Sequence, residues 1–508
     1  MTSKRPSIGA GAWLGSILAI CLPLFTTPMA AFSNEDLSLP VVEYKLDNGL
    51  TVLLLERHHS PTVACQIAFR VGSNNERPGV TGSAHMLEHM MFKGTKTIGT
   101  NNYEAEVPIM EKIDELANRL LDEKLKGEDA DQNLIDQWSK EIADLQEEQR
   151  KYIVSEELVS LYKKQGGTGL NAYTSDDYTN YICKLPANKL ELWCWMESDR
   201  IANPVFREFY SEKEVVHEER RMRVDTDPDG SLWELFISTI FNAHPYSWMT
   251  IGWPSDIENY RRETMEEFFK RYYAPNNAVI VWVGDFNTDE AKEMIQKYFG
   301  SIPSQPTPPP VVTREPEQMG ERRAKLLFDA NPSIYLGWPT VAIDDKDLPA
   351  LDVLEGILSS GRTSRLYRRM RDQEQLVSSV MGYHMRSEYP GAFIIGAEPL
   401  KGVPVETVEK TIREEVGKLR DEKVDDRELQ RIKNKMQSEF VQKLESNYNL
   451  ARDLAEHECK GGWRLLGDID EQIQEVTAED VQRVAQKYLI DKHLNVAILE
   501  PTGGEDAS

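Results

Sequence analysis

Residues 84–94 read Ala84-His85-Met86-Leu87-Glu88-His89-Met90-Met91-Phe92-Lys93-Gly94. Further on, Leu351-Asp352-Val353-Leu354-Glu355-Gly356-Ile357-Leu358 runs on to Gly361, 267 positions after Gly94. Both stretches are apolar at helical spacing and stop at a glycine, the residue that most readily ends a helix. A second pair of landmarks repeats the pattern. Lys270-Arg271-Tyr272-Tyr273 leads into the apolar run Ala278-Val279-Ile280-Val281-Trp282-Val283, and Gln486-Lys487-Tyr488 leads into Leu494-Asn495-Val496-Ala497-Ile498-Leu499, with Tyr488 215 positions after Tyr273. The chain therefore reads as two homologous repeats. Because the two spacings differ by 52 residues, the first repeat holds an insertion of about that size, which residues 104–163 supply.

Within the insertion, Ile109, Ile113, Leu116 and Leu120, then Leu134, Trp138, Ile142 and Leu145, recur at helical spacing around a polar break at Gly127-Glu128-Asp129, which predicts a projecting helical hairpin. Strand-like runs at 51–55, 63–70, 326–328, 334–338 and 393–397 stand among longer helical patterns. That mixture predicts an α+β fold, each repeat a largely antiparallel sheet packed with helices. Between the repeats, Ile302-Pro303-Ser304-Gln305-Pro306-Thr307-Pro308-Pro309-Pro310 predicts a semi-rigid, extended tether. The expected layout is a leader at 1–31, a first repeat at 32–301, a linker at 302–325, a second repeat at 326–501 and a tail at 502–508.

With 508 residues, 40% hydrophobic and 28% charged, the chain is neither disordered nor fibrous. Nothing after residue 31 is apolar for long enough to cross a bilayer. The formal charge is −25, and −27 without residues 1–31, which hold Lys4 and Arg5 and no acid. Such a body repels phosphate backbones, which argues against nucleic acid as a partner. Lys4 and Arg5, the apolar stretch 8–25 and Pro28-Met29-Ala30-Ala31 have the order of a cleavable signal peptide, so the protein is expected in the periplasm or outside the cell. Ile20 stands before Cys21 where lipid attachment wants a small residue. An uncleaved anchor is the other alternative to export as a free chain. Cys65, Cys183, Cys194 and Cys459 form no CxxC pair and read as buried free thiols, although export permits a disulfide.

The chemistry lies in His85-Met86-Leu87-Glu88-His89. On a helix His85 and His89 fall one turn apart on one face and present two imidazoles to one metal, while Glu88 reaches a water on that metal. The order is the reverse of HExxH. Chance gives only about 0.02 such pentads in a chain of this composition. Apolar flanks bury the helix, and burying three ionisable groups without a metal is costly. A catalytic zinc wants a third protein ligand. In Glu212-Lys213-Glu214-Val215-Val216-His217-Glu218-Glu219, Glu212 and Glu219 lie two turns apart on one face, but spacing alone does not choose among the four glutamates and His217.

These residues resemble the pitrilysin and insulinase family of inverted-motif zinc peptidases, and most closely its two-repeat branch, which contains the mitochondrial processing peptidase subunits and bacterial relatives. The similarity spans nearly all of the chain after the leader. It rests on Leu46-Asp47-Asn48-Gly49-Leu50, His85 to His89 followed by Phe92-Lys93-Gly94-Thr95, Leu170-Asn171-Ala172-Tyr173-Thr174, Glu212 to Glu219, Tyr273-Ala274-Pro275-Asn276-Asn277-Ala278 and Ser364-Arg365-Leu366-Tyr367.

The resemblance implies that His85, His89 and Glu219 hold one Zn2+ per chain, that Glu88 is the general base, and that Glu212 orients a ligand. It also implies that Asn171 and Ala172 lie on or beside an edge strand to which an extended peptide adds as a further strand. Asp352, Glu355 and Gly356 fall where His85, Glu88 and His89 stand, so the second repeat is expected to bind no zinc and to form the opposite wall of a clam-like chamber. His217, His244, His384, His457 and His493 have no such partner spacing and read as structural or surface.

Arg371 fits a substrate-contacting arginine of the family, but Ser378, seven residues on, stands where the usual tyrosine would be, and Tyr383 is too far along to replace it. The expectation is an exported zinc endopeptidase acting on extended or unfolded peptides, as a homodimer or as a heterodimer with a related non-catalytic subunit. Arg362, Arg365, Arg368, Arg369 and Arg371 are candidates for substrate or partner contact, or merely offset nearby acids. The alternative function is a non-catalytic, peptide-binding subunit on the same scaffold.

Overall fold

The apolar runs become the centres of two sheets. A computed structural model describes residues 39–502, so the leader at 1–31 lies outside the described residues. In the first half, β1 (Val42–Lys45), β2 (Thr51–Glu56), β3 (Thr62–Phe69), β4 (Thr168–Thr174), β5 (Thr179–Pro186) and β6 (Ala278–Gly284) form one sheet in the order β1-β2-β6-β3-β5-β4. In the second, β7 (Arg322–Phe328), β8 (Ser333–Pro339), β9 (Val377–His384), β10 (Ala392–Pro399) and β11 (Asn495–Pro501) form the order β7-β11-β8-β10-β9. Apart from β1 the two orders are the same. Each sheet is antiparallel except where its first long strand pairs parallel with its last, β2 with β6 and β7 with β11.

Every residue of β6 is buried, as expected of a central strand covered on both faces. On one face of the first sheet pack α1 (Ser83–Met90), α5 (Leu190–Ala202) and α10 (Thr288–Phe299), joining Met86, Leu87, Met90, Trp193 and Phe299 to Ile67 and Trp282. The second sheet is covered alike by α11 (Leu348–Ser359), α12 (Val405–Asp421) and α16 (Ala478–Tyr488).

The opposite faces are covered by exchange. From the first half, α7 (Pro228–Ile240) lays Leu232, Phe236 and Ile240 on Ile394, Ala497 and Leu499 of the second sheet. From the second half, α14 (Asn447–Lys460) lays Leu450, Ala451 and Leu454 on Leu53, Val279 and Val281 of the first. A partition into continuous repeats at 32–301 and 326–501 therefore misses two helices that cross between the halves.

Three further differences from the sequence reading have local causes. The hairpin consists of α2 (Tyr103–Lys124) and α3 (Gln132–Gln149) and stops short of residue 163. The next helix, α4 (Glu157–Lys164), returns to the core, where Leu158 and Tyr162 are buried and Tyr162 Oη donates to Glu197 Oε1 at 2.6 Å. The linker ends earlier than residue 325 because Arg322 already pairs in β7. It is also pinned to the first half, Gln305 exchanging two hydrogen bonds with Asn276 and Glu315 accepting from the backbone of Asn242 to His244. Cys65, Cys183, Cys194 and Cys459, by contrast, are buried and free, as the sequence reading expected.

Candidate metal centre

The loop before α1 sets its direction. Gly82 has φ +84, and a Cβ there would lie 2.4 Å from Ile251 O, so glycine is required. No side chain at the capping position serves the helix start; instead the buried Glu76 accepts from Gly82 N and Ala84 N at 2.7 and 2.8 Å. Met86, Leu87 and Met90 are fully buried, and truncating one to alanine would cost about 2–5 kcal/mol. Their burial turns His85, Glu88 and His89 towards α6 (Phe209–Arg220), which carries Glu212 and Glu219 two turns apart. After α1, the buried Arg207 donates to the carbonyls of Thr95 and Ile98 at 2.7 and 3.1 Å and pairs with Glu106, fixing the loop to α2.

His85 Nε2 lies 3.8 Å and His89 Nε2 3.4 Å from Glu219 Oε2, and donor atoms of these three residues all lie within 4.8 Å of one another. Among the described residues this is the one such convergence of His, Cys, Asp or Glu. Ligands about 2.0–2.2 Å from a shared tetrahedral centre stand roughly 3.4 Å apart, so two nitrogens and one oxygen at these separations suit zinc.

The surrounding groups fit the same purpose. His89 Nδ1 bonds Glu212 Oε1 at 2.8 Å, and Glu212 Oε2 meets Lys93 Nζ at 2.6 Å. Burial alone would raise the Glu212 carboxyl, but the bonds from His89 and Lys93 outweigh it and bring it down to about 2. Burial and the neighbouring His89 push His85 down, leaving a neutral imidazole ready to donate a lone pair. Glu219 is held low, chiefly by its hydrogen bond with His89, and Arg223 Nη1 takes its other oxygen, Oε1, at 2.8 Å. Arg223 belongs to a π-helical turn, Arg221–Asp225, that follows α6 directly.

Glu88 does not join the three donors. Its Oε2 accepts from Thr174 Oγ1 at 2.7 Å, and burial raises its pKa. Glu218, the sequence neighbour of Glu219, faces outward to Arg221, and His217 lies near Glu258. Asn171 and Ala172 sit on β4, the edge of the first sheet, where a register shift between Thr168 and Asn171 breaks the pairing with β5. Beside Glu88 and His89 opens a cavity of about 560 Å³ whose wall includes Phe92, Val154, Leu158 and Ala172.

In the second repeat, Asp352 is buried, and its Oδ1 bonds His384 Nδ1 at 2.8 Å and accepts from Arg386 Nε at 3.1 Å. His384 is thus the partner of Asp352, a pairing that spacing along the chain did not show. Arg371 lies exposed in a second π-helical turn, Tyr367–Gln373, over the ring of Tyr367. Ser378 donates to Glu398 Oε2 at 3.0 Å. Of the arginine cluster, Arg365 pairs with Glu428 and Arg369 with Glu374, Glu414 and Glu415, so these two offset nearby acids. Sequence reasoning gave no role to Thr174, Lys93 or Arg223. Only Arg223, one helical turn beyond Glu219, carried a signal in its spacing.

A duplicated α+β scaffold with a convergent His, His and Glu set in one copy, and Asp352 with Gly356 at the matching places of the other, is the arrangement that the resemblance to the inverted-motif zinc peptidases implies. Comparison with known proteins agrees. Residues 51–113 match the insulinase family, peptidase family M16, and residues 259–436 match the peptidase M16 inactive domain. The zinc protease PqqE of Helicobacter pylori is 28% identical over 466 residues, covering 90% of this chain and 92% of that protein. A probable mitochondrial-processing peptidase subunit beta of Arabidopsis thaliana is 24% identical over 490 residues, covering 93% and 81%. The crystal structure of a protease from Helicobacter pylori superposes with a TM-score of 0.78 at 27% identity, covering 91% of this chain and 99% of that one. Both matched stretches are those of peptidase family M16, and the likeness to its zinc proteases runs along nearly all of the described chain.

Proposed function

We propose that this protein is an exported zinc endopeptidase that hydrolyses extended or unfolded peptides. The observation that carries the reading is the convergence of His85, His89 and Glu219 within 4.8 Å, with Glu88 next to them and left out of the cluster. A zinc ion held there supplies Lewis-acid polarisation of the scissile carbonyl and acidifies the attacking water. Glu88 takes the proton of that water on Oε1, the oxygen that Thr174 leaves free, and later delivers it to the departing amine. Glu212 fixes the ring of His89, and Arg223 leaves a single oxygen of Glu219 for the ion. The edge of β4 at Asn171 and Ala172 aligns the substrate through backbone hydrogen bonds, which selects peptides with a free main chain.

The protein works as a dimer, either with itself or with a related non-catalytic chain. Ser378 supports the need for a partner, since it offers only a short hydroxyl where substrate contact is expected, and that hydroxyl is already engaged by Glu398. The reading is tested by metal content and turnover of a peptide library, on the protein lacking residues 1–31, alone and with candidate partner chains. A zinc-loaded protein that cleaves no peptide under either condition would favour the peptide-binding, non-catalytic role.

A further inference from the structure

We propose that Thr174 is a positioning residue for the base, tying the group that deprotonates the water to the strand that receives the substrate; this rests on the peptidase reading above. Thr174 is the last residue of β4, two positions after Ala172. The strand is anchored by its pairing with β5, where Ala172, Tyr173 and Thr174 stand opposite Tyr181, Asn180 and Thr179. Its other edge is open, because β4 ends the sheet order. At this end the Thr174 hydroxyl donates 2.7 Å to Glu88 Oε2. Glu88 itself stands on another element, α1, whose Met86, Leu87 and Met90 are fully buried.

A carboxylate with one fixed donor has one oxygen occupied and its χ3 rotation quenched, which leaves Oε1 presented in one direction. A peptide laid along Asn171 to Thr174 is then referenced to the same backbone as that oxygen. Base and scissile bond keep their separation even if α1 and β4 shift slightly against each other, and separations at this scale govern rate steeply.

The test compares Thr174→Val, which keeps the branched shape but not the donor, with Thr174→Ser, which keeps the donor. Thr174→Val should lower kcat about 10- to 100-fold, the effect of losing a hydrogen bond to a charged group, with KM and zinc content unchanged. Thr174→Ser should restore kcat to within a few-fold. A crystal structure of Thr174→Val should show the Glu88 carboxylate in more than one orientation. Wild-type kcat in Thr174→Val, or loss expressed only in KM or in zinc content, would overturn the proposal. Should Glu88→Gln retain turnover, the peptidase mechanism itself fails; an inactive Glu88→Gln beside a fully active Thr174→Val refutes the role of Thr174 alone.

Discussion

Glu212 accepts from Nδ1 of His89 at 2.8 Å, and that bond turns Nε2 of the same ring to within 3.4 Å of Glu219. Removing the acceptor frees the ring to rotate and weakens its donor strength. Glu212→Ala should therefore fold normally yet bind zinc about 10- to 100-fold more weakly, measured by competition with a chromogenic chelator. Unchanged affinity would mean that packing alone holds the ring of His89.

Glu88 and the three donors should separate cleanly in a substitution series. Glu88→Gln keeps zinc and loses about two to four orders of magnitude in turnover. His85→Ala, His89→Ala and Glu219→Ala lose bound zinc as well. Glu218→Ala, altering an outward-facing side chain paired with Arg221, should match wild type in both. Zinc depletion by Glu218→Ala but not by Glu219→Ala would reassign the third ligand.

A pH effect is expected where the two halves meet. The turn after β4 and the turn after β9 are joined by Asp177, which accepts from Glu388 N at 3.0 Å, from Asn74 Nδ2 at 2.9 Å and from Tyr246 Oη. Burial, with the repulsion of Asp177, pushes Asp176 up to about 6 and Glu388 up to about 7. Lys460 and Arg70 are the cations that ease this cluster. A carboxyl whose pKa is raised by folding binds more protons folded than unfolded, so stability falls as pH climbs from about 4 through those values. The Tm should be lower at pH 8 than at pH 5.5, and Asp176→Asn with Glu388→Gln should flatten that slope. An equal slope in the double variant would remove these two groups as its source.

Charge should steer the choice of substrate at low salt. With a formal charge of −25, the protein should capture basic peptides faster than matched acidic ones. The advantage should fade as the Debye length contracts to about 8 Å at physiological ionic strength. Equal kcat/KM for both peptides at low salt would show that the chamber wall does not carry the net charge.

Elements with a strong period could be read directly from the chain. The apolar runs that became β6 and β11, and the helices α1 and α11 that end near Gly94 and Gly361, owe their structure to local sequence, and so does the one-turn spacing of His85 and His89. β4 could not be read in the same way. Gly166, Gly167 and Gly169 surround its start, Gly169 at φ +60, and its pairing is interrupted by the register shift, so glycine and asparagine there imitate a turn. β5 and β9 escaped notice because polar residues such as Asn180, Lys184, Ser378 and Ser379 interrupt their apolar content. The bond from Thr174 to Glu88 joins residues 86 positions apart, and no local pattern announces it.

The crossed helices make the two repeats inseparable. Without α14, Leu53, Leu55, Val279, Val281 and Val283 would face water, at about 1.5–3 kcal/mol each, a loss comparable to the whole net stability of a domain. The same holds for the second sheet deprived of α7. A protease that nicks the proline-rich tether would therefore leave the molecule in one piece, each fragment still clasping the other. A gene cut at that point would yield two polypeptides able to fold only in each other's company.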